Sequence, residues 1–308
     1  MGTPDFAVPC LKRLIEDGHE VVLAVTQADK PKGRGHKMTP PPVKECALSL
    51  GIPVFQPASL KSEEAFENIR AYAPELIVVV AYGKILPSPL LELPVYGCIN
   101  VHASLLPRYR GAAPIQWAVL NGETEAGVTT MQMDAGLDTG DMLLTGRCAV
   151  SDTMTGGELH DVLSQIGADV LSATLRALEA GTLTRTPQKD ADSCYAPMLS
   201  KAMSALDWNK PATVLHNQVR GLNPWPSAAC TFAGKPLKVH ASRIGPPSEC
   251  PPGTIVKLNP FTVTCGEGTS LELLEVQAEG SKRMNAQDFL RGHPMAVGDS
   301  LLPPASAD

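Results

Sequence analysis

No stretch of the 308 residues approaches the roughly 20 consecutive apolar residues that a membrane-spanning helix needs. The N-terminus carries no signal or transit pattern either. The eight cysteines, at positions 10, 46, 98, 148, 194, 230, 250 and 265, include no C-x-x-C pair, which argues against a zinc knuckle or a dithiol redox site and for reduced thiols in a cytosol-like compartment. A G-x-G-x-x-G phosphate turn is missing, so a dinucleotide-dependent dehydrogenase is disfavoured. Internal repeats and low-complexity tracts are absent. So is any overall excess of positive charge. The net charge is -6; residues 1–204 hold 17 basic against 23 acidic side chains, and residues 205–308 hold 9 of each. A polyanionic partner would have to be met locally. One segment is suited to that: Lys30, Lys32, Arg34, His36, Lys37 and Lys44 follow one another with no acid between Lys30 and Lys44.

What is present is a globular composition, 44% hydrophobic and 19% charged, in a chain long enough for two domains. Leu11, Leu14 and Ile15 put an apolar face on a helix over residues 8–17. Residues 20–27 and 75–82 read as buried strands, the second a continuous apolar run of the kind covered on both faces in a parallel sheet. Residues 28–42 are rich in Gly and Pro and read as a loop. Helices are predicted near 43–50, from Ser62 as cap, near 113–121, and over 155–180, with strands near 97–104, 128–133 and 142–150. This alternation predicts an α/β domain over 1–183. A polar, irregular linker over 184–203 follows. Residues 204–308, with a helix near 211–222 and short strands punctuated by turn residues, predict a small β-barrel. The chain opens directly into its first helix, where a parallel sheet ordinarily begins with a strand: either the start is mis-assigned or the first strand is missing.

Candidate chemistry gathers at one strand end. Asn100 and His102 are two apart on a strand and share a face, beside the kind of sheet edge where α/β ligand crevices form. An amide can donate to a developing oxyanion, and an imidazole can carry a proton near neutral pH. Asp138, in the loop Leu137-Asp138-Thr139-Gly140-Asp141, could be aimed at that imidazole. Ser104-Leu105-Leu106-Pro107 could wall an apolar slot. Taken singly, each also fits a plain structural role: strand-end packing, an Asx turn or a solvated basic loop.

Taken together these segments resemble the folate-dependent formyltransferase family. The resemblance rests on Asn100-Val101-His102, Ser104-Leu105-Leu106-Pro107, Arg108-Tyr109-Arg110-Gly111 and the loop with Asp138. Finer matches, among them Gly2-Thr3-Pro4-Asp5-Phe6, Asp29-Lys30-Pro31-Lys32-Gly33-Arg34-Gly35 and Asn223-Pro224-Trp225-Pro226, resemble the members that act on initiator methionyl-tRNA. The resemblance spans nearly the whole chain. It implies a Rossmann-like catalytic domain followed by an OB-like barrel that contacts tRNA, and a strand ahead of Gly2 that this chain lacks. It implies 10-formyltetrahydrofolate as co-substrate, with no metal. The catalytic residues would be Asn100, His102 and Asp138. The folate site would be built from Ser104, Leu105, Leu106, Pro107, Tyr82, Gly83, Ile85 and Leu86. The tRNA contacts would come from Lys30, Lys32, Arg34 and Lys37. A monomer in a bacterial-type cytoplasm or an organelle matrix is implied, with no membrane partner. Transfer to a small amine, hydrolysis of the folate by water, and a non-catalytic RNA- or folate-binding role are the alternatives.

Overall fold

The computed structural model describes residues 1–32 and 37–302, with only the backbone of Lys32 and Lys37. The chain divides into two compact units. The first comprises Met1–Pro114, Glu125–Ala149 and His160–Pro197, and the second Ile115–Thr124, Val150–Leu159 and Met198–Asp308.

In chain order the elements begin with α1 (Val8–Glu16), β1 (Ala24–Val25), β2 (Lys30–Lys32), β3 (Lys37–Thr39), α2 (Pro42–Ser49), β4 (Val54–Phe55), α3 (Glu63–Arg70) and β5 (Ile77–Val79). They continue with α4 (Ser88–Glu92), β6 (Cys98–His102), β7 (Arg110–Gly111), α5 (Pro114–Leu120), β8 (Glu125–Gln132), β9 (Met142–Ala149), α6 (Gly156–Glu179) and β10 (Tyr195–Ala196). Local sequence explains the helix starts. Proline occupies the first turn of α1, α2 and α4, where its missing N–H is no loss. The Ser62 hydroxyl caps α3 by accepting from the Ala65 N–H at 3.3 Å, and Glu63 and Glu64 add negative charge at the same end. Ahead of α6, Thr155 and Glu158 form a capping box: the Glu158 N–H donates to Thr155 Oγ1 at 3.2 Å and the Thr155 N–H to Glu158 Oε2 at 2.8 Å.

The sheet of the first unit is in two pieces. β5 and β6 are parallel, and β8 and β9 extend them antiparallel in the order β5-β6-β8-β9. β1 and β4 form a separate parallel pair. Backbone groups of the first two residues of the chain join the pieces. The Met1 amine donates to the Val78 carbonyl at 2.6 Å, the Val80 N–H to the Met1 carbonyl at 2.9 Å, and the Gly2 N–H to the Val25 carbonyl at 3.0 Å. Beyond them lies a cavity of about 800 Å³, lined by Val21, Val22, Leu23, Leu76 and Val78 from the two facing backbone edges and by Leu11 and Leu14 of α1. A backbone edge without a neighbour makes no ladder, and this shortens the strands expected over 20–27 and 75–82 to Ala24–Val25 and Ile77–Val79. Burial also lowers the Met1 amine to a pKa of about 6.

Two other stretches differ from the sequence reading. Residues 28–42, expected as loop, contain the antiparallel ribbon β2–β3, registered Lys30 to Thr39 and Lys32 to Lys37. A two-stranded ribbon with Pro31 in it has no period-2 apolar signature to reveal it. The polar segment expected as a linker carries β10, which pairs parallel with β7, and Thr186 bridges Met142. These pairings are made by backbone groups, on which side-chain polarity is silent.

The second unit holds α7 (Ala212–Gly221), β11 (Ala228–Phe232), β12 (Lys235–Ile244), β13 (Ile255–Leu258), β14 (Phe261–Thr264), β15 (Ser270–Ala278), β16 (Met284–Asn285) and α8 (Ala286–Gly292). Its strands form one antiparallel sheet in the order β11-β12-β15-β14-β13, with β16 on β15. Trp208, Leu215, Val219, Val239, Phe261, Leu273 and Phe289 make its core. This is a β-rich domain closed by two helices.

Candidate active site

β1, β5 and β6 run in the same direction, so the segments that leave their carboxyl ends emerge at one edge of the sheet. β1 leads to Gln27 and the β2–β3 ribbon, β5 leads to Tyr82–Leu86, and β6 ends at His102. The Gln27 side chain ties the first two together by donating to the Tyr82 carbonyl at 2.8 Å.

Asn100 and His102 project from the same face of β6. His102 is 6% exposed, and its Nε2 lies 2.9 Å from the Tyr109 carbonyl. A carbonyl oxygen can only accept, so Nε2 carries the hydrogen and Nδ1 is the nitrogen left to exchange a proton. Asp138 faces that nitrogen, its Oδ1 3.7 Å from His102 Nδ1 and 3.4 Å from the donating Nδ2 of Asn100. The other carboxylate oxygen accepts from the Gly111 N–H at 2.9 Å. The three side chains meet around one oxygen atom.

Asp138 reaches this position through strained backbone. Its φ is +55°, a left-handed conformation that a non-glycine residue holds only when its surroundings impose it. Two residues on, Gly140 passes so close to β8 that an added Cβ would lie 1.8 Å from the Gln132 carbonyl. The Thr139 hydroxyl bonds Asp134 at 2.8 Å across the base of the loop.

The segment Ser104–Pro107 is anchored from below. The Thr129 hydroxyl, on the β8 residue opposite His102, donates to the Ser104 carbonyl at 2.7 Å and accepts from the Leu106 N–H at 3.2 Å. Ser104 Oγ donates to the Arg108 carbonyl at 2.7 Å. Leu106 is buried, while Leu105 and Pro107 are half-buried. In the β5 segment, Tyr82 and Leu86 belong to a core cluster with Val25, Ile77, Val79 and Leu90. Ile85 is 79% exposed, and Gly83, with φ +77°, lies on the surface next to Gln27. Of the basic candidates, Lys30 is exposed and bonds Gln27 Oε1 at 3.0 Å. Lys32 and Lys37 are placed by backbone only, facing each other in the ribbon. Arg34 lies outside the described residues. Among the described residues, no three His, Cys, Asp or Glu side chains cluster as metal ligands, and no helix is long and apolar enough to cross a membrane.

Sequence reasoning did not single out Thr129, Gln188, the Gly111 N–H or the Tyr109 carbonyl. The last two are backbone groups and carry no residue-type signal. Thr129 is legible only once the β6–β8 register is known.

An amide, an imidazole and a carboxylate thus converge at a strand end of an α/β sheet, an arrangement whose chemistry suits acid–base group transfer. Residues 1–175 match the formyl transferase domain family and residues 198–294 the formyl transferase C-terminal domain family. The methionyl-tRNA formyltransferase of Trichlorobacter lovleyi is 53% identical over 305 residues, covering 98% of this chain and 96% of the relative. That of Geobacter metallireducens is 54% identical over 304 residues, covering 98% and 97%. Among solved structures, the N-formyltransferase from Helicobacter canadensis, in complex with folinic acid and dTDP-3-aminofucose, shares the fold with a TM-score of 0.68 and 18% identity, covering 90% of this chain and 97% of that one. The sugar 3N-formyltransferase WlaRD gives a TM-score of 0.67 at 18% identity, covering 91% and 97%. The chain belongs to the formyltransferase family.

Proposed function

We propose that the chain transfers a formyl group from 10-formyltetrahydrofolate to the α-amine of initiator methionyl-tRNA, serving translation initiation in a bacterial-type cytoplasm. The observation that carries the reading is the meeting of Asn100, His102 and Asp138 in a chain whose relatives at 53–54% identity over 98% of its length are methionyl-tRNA formyltransferases.

The residues present suit a folate. Exposed Ile85 and the bare backbone of Gly83, in the segment that leaves β5 at the sheet edge that holds the trio, offer an apolar surface for a flat ring. The neighbouring cation, Lys84, is turned away onto the carbonyls of Pro57 and Ala58 at 2.9 Å each. Ser104–Pro107 would hold the molecule from the β6 side, with Tyr82 and Leu86 supporting the surface from the core. When bound, 10-formyltetrahydrofolate supplies the formyl carbon and leaves as tetrahydrofolate.

The chain's own groups then have distinct tasks. Asn100 gives one amide N–H to Asp138 and keeps the other for an acyl oxygen that gains negative charge. His102 Nδ1 takes up the proton lost by the attacking amine, in its protonated form stabilises the same oxygen, and would return the proton to the folate nitrogen as the carbon–nitrogen bond to the folate breaks. Asp138 orients the ring and offsets its positive charge during the transfer. Lys30, Lys32, Arg34 and Lys37 meet the phosphates of the tRNA acceptor stem, a local basic surface on an acidic body.

An acceptor comparison tests this. Formyl transfer from the labelled folate is measured with methionyl-tRNA, with a dTDP-linked amino sugar and with water alone. The reading requires methionyl-tRNA to be the productive acceptor. Equal turnover with either of the others overturns it.

A further inference from the structure

Gln188 lies between the two family-matched domains, in the polar segment that follows α6. Its amide nevertheless reaches the acid loop. Nε2 donates to the Asp138 carbonyl at 2.9 Å and to the Gly140 carbonyl at 2.7 Å, while Oε1 accepts from Arg110 Nε at 3.0 Å. Arg110 in turn bonds Asp190 at 2.9 Å. A single side chain therefore grips both sides of the contact that places the Asp138 carboxylate. One side is the loop itself, with its left-handed Asp138. The other is β7, whose Gly111 N–H donates to Asp138 Oδ2 and which is paired to β10. A strained turn keeps its shape only where its surroundings over-determine it, and both hydrogens of the Gln188 amide serve that end.

We propose that Gln188 is a positioning residue for formyl transfer: it holds the Asp138 carboxylate against His102 and Asn100, and it acts on turnover only through Asp138. The proposal rests on the trio reading above.

Two substitutions separate positioning from general support. Gln188→Glu keeps the length and the acceptor toward Arg110, but sets an oxygen in place of the donor against two carbonyls. Gln188→Met keeps the volume and removes both polar atoms. With the full chain, the folate and methionyl-tRNA, each should lower kcat about 10- to 100-fold, the usual effect of a displacement near 1 Å at a reacting group. KM for both substrates should stay within about twofold, and thermal melting should confirm that each variant is folded. Placed in an Asp138→Ala background, either substitution should change kcat by less than about twofold, because residues acting as one unit are not additive. A merely structural glutamine would lower activity by the same factor in both backgrounds, and that result overturns the proposal. So does wild-type kcat in both single variants when Asp138→Ala is inactive. Wild-type kcat in Asp138→Ala itself refutes the trio reading, and with it the role of Gln188.

Discussion

Five aliphatic residues placed ahead of Met1 should enter the slot between residues 19–23 and 74–78 as a parallel strand. The register is already set by Gly2, which bridges Val80 on one side and donates to Val25 on the other. Five residues at about 3.3 Å each span about 16 Å, roughly the length of the facing edges. Filling the cavity of about 800 Å³ with five aliphatic side chains is worth about 7–15 kcal/mol at roughly 1.5–3 each. Fixing five backbone residues opposes this by about 5–10 kcal/mol, and side-chain ordering takes about 3–5 more. About five ladder hydrogen bonds to the two edges return about 1 kcal/mol each. The net gain is about 3–6 kcal/mol, a rise in melting temperature on the order of 10 °C.

The same perturbation moves the charged amine out of the sheet and puts a neutral peptide N–H opposite Val78. The buried Met1 amine has its pKa lowered from 8.0 to about 6. Between those values the unfolded chain holds a proton that the folded chain has given up, so stability rises with pH across that window, by an amount of order 2 kcal/mol. Below pH 6 both states are protonated and the penalty is full; above pH 8 it is gone. The extended variant should lose this slope. Calorimetric melts of both chains at pH 6 and pH 8 read both effects. Equal melting temperatures, or a slope that survives the extension, would refute the reasoning.

The trio makes a kinetic prediction: His102→Ala and Asp138→Ala should each lower formylation by about 10²- to 10⁴-fold while folate still binds in a fluorescence titration, and near wild-type turnover in either would sink the assignment. For the basic segment, Arg34→Ala should weaken formylation of methionyl-tRNA and reduce the log–log salt slope by somewhat under one unit, leaving folate cleavage without tRNA unchanged; a variant with the wild-type salt profile would remove Arg34 from the interface. Lysine at that position should restore only part of the affinity, since it supplies charge without the planar fork.

Much of the fold could be read from the chain because periodicity reports on a segment's own faces. The α6 stripe and the Ser62 cap are local features, and the structure has them where the residues put them, while the apolar run at 75–82 forms a strand over Ile77–Val79. The Asn100/His102 pair was visible for the same reason: two residues apart on a strand means one face.

Tertiary structure alone decided how distant backbone meets. Asp138 is 36 residues from His102, and its approach depends on a left-handed turn, on Gly140 pressed against β8, and on an N–H from Gly111. The Tyr109 carbonyl occupies His102 Nε2 and leaves Nδ1 facing Asp138. The assignment of Ile115–Thr124 and Val150–Leu159 to the second unit, and the bonds from a polar residue, Gln188, to the Asp138 loop, follow from contacts between residues far apart in sequence. Backbone carbonyls and N–H groups are the same at every non-proline position, so a sequence names the side chains that could do chemistry but not the main-chain groups that aim them.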